Sequence, residues 1–338
     1  MDAHFYIGAL TDEIKMPSDQ RAMALERASL LEIRLKRLLP YIRQLRPFGS
    51  MMRGTALSRQ VDPAVDLDCL ICTNLDAAQA RFPKAAFQEA EELMIKELRD
   101  ALELTGSLSN LTVLHPWINF DFDGIRFELS VGRSRDDWKK NAYIMYTRDS
   151  EWGRIHPKLW KRYGGNTVRG IGKDGRKSVD VLVATEPFAV DFNVLSEWEQ
   201  TLATGLIVLM KYWNLLYRQR IPSFVLERNV VEWLDSDEPK DGPRSLFELT
   251  CTFLRNSVNY DTKLLQRLPS FQVLRKGFKT AERLMVCKRG DDAACILNTV
   301  FPWPDRFQHF GPFQGRGLHE VHARMSELSR AVDDPATS

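Results

Sequence analysis

The sequence predicts an α+β protein in two lobes. A mixed sheet with flanking helices is expected over residues 1–190, a helical lobe over 191–338, and an active site in the cleft between them. Three observations predict this. First, Leu31, Leu35, Leu38 and Ile42 recur at helical spacing over 18–42. Phe87, Ala90, Leu93, Met94, Leu98 and Ala101 do the same after Pro83. Second, VDLDCLICT (65–73) and two apparent hairpins carry strand patterning. The hairpins are TVLHPWINF–DFDG–IRFELSV and NTVRGIG–KDGR–KSVDVLVA, with Asp123-Gly124 and Asp174-Gly175 as their turns. Third, strand patterning stops near Ser196, where a helix built on Trp198, Leu202, Leu206, Leu209 and Trp213 begins. Trp198 and Trp213 share a face of that helix and read as core. A final helix is expected over 318–331, after the Pro- and aromatic-rich stretch 301–317.

Composition narrows the class. Of 338 residues, 44% are hydrophobic and 27% charged, as in ordinary globular proteins. No run approaches the roughly 18 uninterrupted apolar residues of a membrane helix. The opening MDAHFYIGALTDEIK lacks the basic-then-apolar order of a secretory signal, so a cytoplasmic protein with no membrane partner is expected. A net charge of +2 gives little general attraction to nucleic acid. One stretch departs from this balance: residues 154–177 carry eight Lys and Arg against the single acid Asp174. Such a stretch is either a solvated face or a surface for phosphate or RNA. Five unevenly spaced cysteines form no disulfide framework. Cys69 and Cys72 have CxxC spacing, but residues three apart on a strand face opposite ways, and no second pair completes a zinc site.

The chemistry concentrates between residues 49 and 68. Asp66 and Asp68, two apart on an apolar strand, project from one face. Paired carboxylates there are costly to bury unless a cation neutralises them, and hard oxygen-seeking Mg²⁺ or Mn²⁺ is the natural partner. With a third acid from a neighbouring strand, the pair could hold two ions. Gly49-Ser50 lies between a strand and a short helix, where free backbone N–H groups and a small hydroxyl can cradle phosphates. The sequence has no GxSxG elbow and no GxxxxGK[ST] loop, which removes the common serine-hydrolase and P-loop readings.

In that order, FGSMMRGTALSRQVDPAVDLDCLI resembles the signature of polymerase-β-fold nucleotidyltransferases. Its RGTA element resembles the branch that holds the bacterial cyclic-oligonucleotide synthases (CD-NTases), animal cyclic GMP-AMP synthase and the oligoadenylate synthases. The interval from Ser50 to Asp66 is longer than the family pattern. A second block, LIVLMKYWNLLYRQRIPSFVLE (206–227), resembles the helical-lobe segment of the same enzymes. The resemblance implies triphosphate contacts at Gly49, Ser50, Lys211 and Ser223, a base stacked on Phe224, and two Mg²⁺ or Mn²⁺ held by Asp66, Asp68 and a third acid. Asp180, in KSVDVLVA, is preferred as that acid; Glu128, in IRFELSV, is the alternative. The implied activity joins NTPs with release of pyrophosphate. The product implied is a cyclic di- or trinucleotide messenger of antiphage defence; the alternatives are transfer to an RNA 3′ end or a protein hydroxyl, or a degenerate nucleotide-binding protein. Expected partners are NTPs, phosphate or RNA along 154–177, and a regulatory protein.

Overall fold

A computed structural model of the chain describes residues 1–73, 87–106, 108–113, 117–134, 142–145, 167–171, 177–184, 195–219, 221, 223–235, 245–256, 268–304 and 323. The KDGR turn, most of the basic stretch, most of 301–317 and the terminal helix expected at 318–331 lie outside these residues. The chain divides into two units. A sheet unit comprises Met16–Gly54 and Ala64–Ala189. A helical unit comprises Met1–Lys15, Thr55–Pro63 and Val190–Ser338. Residues 1–15 and 55–63, assigned by the sequence to the first lobe, thus group with the helices.

In the sheet unit, helix α2 (Ser18–Leu38) leads into strand β1 (Ile42–Pro47). The helix ends four residues short of Ile42 because Pro40 disfavours helical geometry before it. Ile42 opens the strand instead, and both the strand and its partner β2 (Leu67–Thr73) bury apolar side chains. On β1 the Leu45 amide donates to Glu32 of α2 at 3.2 Å, which satisfies a backbone group on this edge strand. After the short helix α3 (Gly49–Arg53) come β2, helix α4 (Phe87–Glu103), and strands β3 (Leu108–Val113), β4 (Trp117–Phe122) and β5 (Ile125–Ser134). Strands β6 (Ala142–Met145), β7 (Thr167–Ile171) and β8 (Lys177–Ala184) complete the described set.

The sheet runs β1-β2-β5-β6-β8-β7, with β4 and then β3 branching from β5. β5 is parallel to β2, and every other described pairing is antiparallel. Its far edge is shared: β4 pairs along Ile125–Ser130 and β6 along Gly132–Ser134. Asp123 and Gly124, at φ +46° and +78°, make the two-residue turn expected of Asp-Gly between β4 and β5. The preceding TVLHPWINF stretch contributes to two paired strands, β3 and β4, rather than one.

Strict alternation sorts the sheet into two faces. Ile118, Phe120, Phe122, Phe127 and Leu129 are fully buried together with Leu67 and Cys69. Phe120 stacks on Phe127 at 5.4 Å, and the Arg34 guanidinium of α2 lies 5.2 Å over the Phe122 ring, so α2 covers this apolar face. Asp68, Glu128, Asn119, Arg126 and Asp121 alternate onto the other face.

In the helical unit, helix α1 (Ala3–Ile14) buries Ala3, Tyr6, Ile7, Leu10, Thr11 and Ile14, a continuous i, i+3, i+4 stripe that the sequence reading did not name as an element. It packs with α5 (Glu197–Leu216), α7 (Leu246–Asn256) and α9 (Gly290–Val300). Helices α6 (Ser223–Leu234) and α8 (Pro269–Val286) complete the described helices of this unit. Ser196 starts α5 with a reciprocal capping box to Glu199. Trp213 is fully buried against Phe271, but Trp198 is 50% exposed. The helical repeat was read one turn too far, because Trp198 stands in the first turn, before the buried face begins. Three tyrosine hydroxyls, from Tyr6, Tyr212 and Tyr217, donate to the carbonyls of Phe301, Pro302 and Val300. They satisfy main-chain acceptors that the end of α9 leaves without helical partners.

Because Leu10 is wholly buried on α1, Leu10→Ala should lower unfolding free energy by about 2–5 kcal/mol in a urea titration. A loss under about 0.5 kcal/mol would show that α1 is not part of the helical core.

Candidate functional site

The β1–β2 register fixes the first contact of the site. Pro47 pairs with Cys69, and the Phe48 amide donates to the Asp68 carbonyl at 2.9 Å. This clip lays Gly49 directly on the Asp68 side chain. A Cβ added at Gly49 would sit 1.8 Å from Asp68 Oδ2, and Gly49 has φ +77°. Two separate constraints, left-handed backbone and absence of room, therefore demand glycine there. Ser50 follows in the first turn of α3. The Arg21 guanidinium from α2 donates to the Met52 carbonyl at 2.5 Å, and Gly54 in the left-handed region ends the helix. The Gly-Ser turn and the DxD strand, separated in sequence, are one local structure.

Across the parallel β2–β5 pair, Asp68 stands in register with Glu128. Such partners share a face, with backbones about 4.8 Å apart. Asp66 precedes the strand by one residue and is close enough to act on Glu128 electrostatically. The Glu128 carboxyl is pushed up to about 7, chiefly by burial and secondarily by the Asp66 charge. The Cys69 thiol is also held well above its ordinary range, by burial first and then by Asp68. Beyond Glu128 the row continues to Asn119 of β4.

Asp180 lies elsewhere in the sheet. It sits on β8, paired with Val168 of β7. Strand β6 stands between β8 and β5, and Val181, Met145 and Gly132 align in one row. Glu128 is four residues back along β5 from Gly132. The Asp180 backbone is therefore two strands over, about 10 Å, and about three residues along, another ~10 Å. Of the two candidate third acids, Glu128 is the one set beside Asp68.

The helical-unit residues have a different setting. Lys211 on α5 is 5% exposed, and its ammonium meets Glu227 of α6 at 2.5 Å. Glu227, fully buried, also accepts from the Thr55 hydroxyl at 2.7 Å, and Lys211 Nζ reaches Thr55 Oγ1 at 3.3 Å. Thr55 is the threonine of RGTA. The segment 55–63 is held further by the Ser58 amide donating to Ile14 at 2.8 Å and by a bridge between Lys15 and Leu57. Ser223 is exposed in the first turn of α6, followed by Phe224. Glu227 and Asn119 were not singled out from sequence. A buried acid 16 residues from its lysine, or an amide on the partner strand of a hairpin, is visible only once the pairings are known.

Among the described residues no three acids, thiols or imidazoles are already closed into a metal cage. Asp68 and Glu128 are strand neighbours, and Asp66 lies close enough to act on Glu128. A divalent cation fits this set chemically, because it would reverse both causes of the raised Glu128 pKa, desolvation and like charge.

No family model and no curated protein matches the chain. Among solved structures it is similar to E. coli MS115-1 CdnC with ATP, at TM-score 0.46 and 16% identity over 77% of this chain and 72% of that one. It is also similar to E. coli MS115-1 CdnC in a complex with HORMA-deltaN, at TM-score 0.48 and 15% identity over 89% and 92%. A third similarity is to Cid1, an RNA terminal uridylyl transferase, at TM-score 0.42 and 13% identity over 75% and 71%.

Two outcomes are expected. Glu128 has a folded pKa above its unfolded one, so the folded state holds the extra proton between about pH 4.5 and 7. Without divalent ions, stability should therefore fall as pH rises through that window. Glu128→Gln should match wild type near pH 5 and exceed it at pH 8 by on the order of 3 kcal/mol in urea unfolding, and equal stabilities at both pH values would refute the desolvation. Glu227→Ala removes the carboxylate that pairs with the buried Lys211 ammonium and should cost about 3–5 kcal/mol in urea unfolding.

Proposed function

We propose that the chain is a metal-dependent nucleotidyltransferase whose acids are Asp66, Asp68 and Glu128. The observation that carries this reading is the Gly49–Asp68 contact with Glu128 in register beside it. A phosphate-cradling turn built against one carboxylate, with a second alongside, is what transfer of a nucleotidyl group requires of a protein surface. The resemblance of 48–71 and 206–227 to such enzymes supports the same reading.

In this proposal Gly49 lets a phosphate approach the backbone without a side chain in the way, and Ser50 adds a hydroxyl donor. Two Mg²⁺ or Mn²⁺ bound by the three acids would lower the pKa of the attacking hydroxyl and neutralise the leaving pyrophosphate. The attacking hydroxyl gives up its proton to solvent, its oxygen bonds to the α-phosphorus, the α–β bridging P–O bond breaks, and pyrophosphate leaves with the electron pair. Ser223 at the N-terminal turn of α6 is assigned to the phosphates and Phe224 to the base. Lys211 is assigned a positioning role, because its ammonium is engaged with Glu227 and Thr55. Asp180 is assigned no metal.

The product proposed is a cyclic di- or trinucleotide used in antiphage signalling, which rests on the sequence resemblance of the RGTA block. A second reading, transfer to an RNA 3′ end, is favoured by the basic stretch 154–177. Thin-layer analysis of labelled NTPs separates the two: a phosphatase-resistant product from NTPs alone means cyclisation, and labelling only with added RNA means transfer. Asp68→Ala should reduce either activity more than about 100-fold, a barrier increase near 3 kcal/mol. Retained turnover by the folded variant would sink the assignment.

A further inference from the structure

Asn119 extends the carboxylate row by one strand. It pairs with Glu128 across β4–β5, as Glu128 pairs with Asp68 across β2–β5. On β4 its neighbours Ile118 and Phe120 are fully buried in the apolar core, so alternation puts the Asn119 amide on the Glu128 face. There its Oδ1 is shut off from solvent and, among the described residues, meets no hydrogen-bond donor. Buried amide oxygens are almost always satisfied, so an orphan asks what should meet it.

The register leaves few answers. Thr112, opposite on β3, spends its hydroxyl on the Asn119 main-chain oxygen at 3.5 Å. Arg126, diagonal on β5, directs Nε to Asp121 at 3.3 Å. Water cannot reach the oxygen where it lies. Among the described residues, the polar group that the register sets beside the amide is the Glu128 carboxyl, and a carboxamide suits it in both charge states. Protonated, Glu128 can donate to Oδ1; ionised, it can accept from Nδ2 after a half-turn of the amide.

We propose that Asn119 is a positioning residue that holds the Glu128 carboxyl by this hydrogen bond, aiming it along the row toward Asp68 and a bound divalent ion. Carboxylates that ligate metals are ordinarily fixed by such outer partners. The inference rests on the metal-site reading above, and its test separates the two.

The test is Mn²⁺ titration of the full chain, with free Mn²⁺ followed by electron paramagnetic resonance and folding checked by thermal melting. Asn119→Leu should melt like wild type but bind Mn²⁺ about tenfold more weakly, and Asn119→Gln, which keeps an amide, should recover part of the loss. Asp68→Asn and Glu128→Gln should each weaken binding at least as much. If those two do so while Asn119→Leu stays within about twofold of wild type, the Asn119 inference alone is overturned. If Asp68→Asn and Glu128→Gln also retain full affinity, the metal-site reading fails and the Asn119 role fails with it. Should Asn119→Leu not fold, the smaller Asn119→Ser carries the same expectation and the same refutation.

Discussion

Carboxylates crowded onto one half-buried strip of sheet repel one another and lose hydration, and the rest of this site is arranged around that cost. The cost is visible at Glu128, whose carboxyl is pushed up to about 7 by burial and by Asp66. A sheet that only needed to fold would place apolar or solvated residues there, as it does on the opposite face with Phe120, Phe127 and Leu129. Gly49 tightens the constraint further, because it lies where any side chain would collide with Asp68. In the proposed function a divalent cation would offset this repulsion, which is why the proposed chemistry begins with metal binding.

The segment between the Gly-Ser turn and the DxD strand carries a second constraint. The chain leaves the sheet unit after Gly54 and re-enters it at Ala64, and the intervening residues belong to the helical unit. Their anchor is the buried Thr55–Glu227–Lys211 cluster. The excursion gives a physical account of the long interval from Ser50 to Asp66. Thr55 of the RGTA block and Lys211 and Glu227 of the 206–227 block meet in one hydrogen-bonded network.

Much of this was legible from sequence where local rules dominate. Most strands of both apparent hairpins, the Asp123-Gly124 turn, and the helices after Pro83 and Ser196 follow from patterning and turn chemistry, although the TVLHPWINF arm divides into β3 and β4. What could not be read depends on pairing at a distance. Asp180 and Glu128 sit on equally good strands, and only the β2–β5 register distinguishes the one beside Asp68. The pairing of Lys211 with Glu227, 16 residues away and buried, was likewise not readable from spacing. Trp198 shows the reverse error, in which a correct helical period was carried into a first turn that leaves the ring half exposed. Helix α1 carries its apolar stripe, Ala3, Tyr6, Ile7, Leu10, Thr11 and Ile14, within the segment that also serves to exclude a targeting signal.

The central claim is that Glu128, and not Asp180, completes the site with Asp66 and Asp68. Anomalous diffraction from crystals soaked with Mn²⁺ and a non-hydrolysable NTP tests it most directly. The account predicts a Mn²⁺ peak with Asp68 and Glu128 oxygens at about 2.2 Å, and the phosphates against Gly49-Ser50. A peak bound by Asp180, with Glu128 turned away from it, would contradict the account.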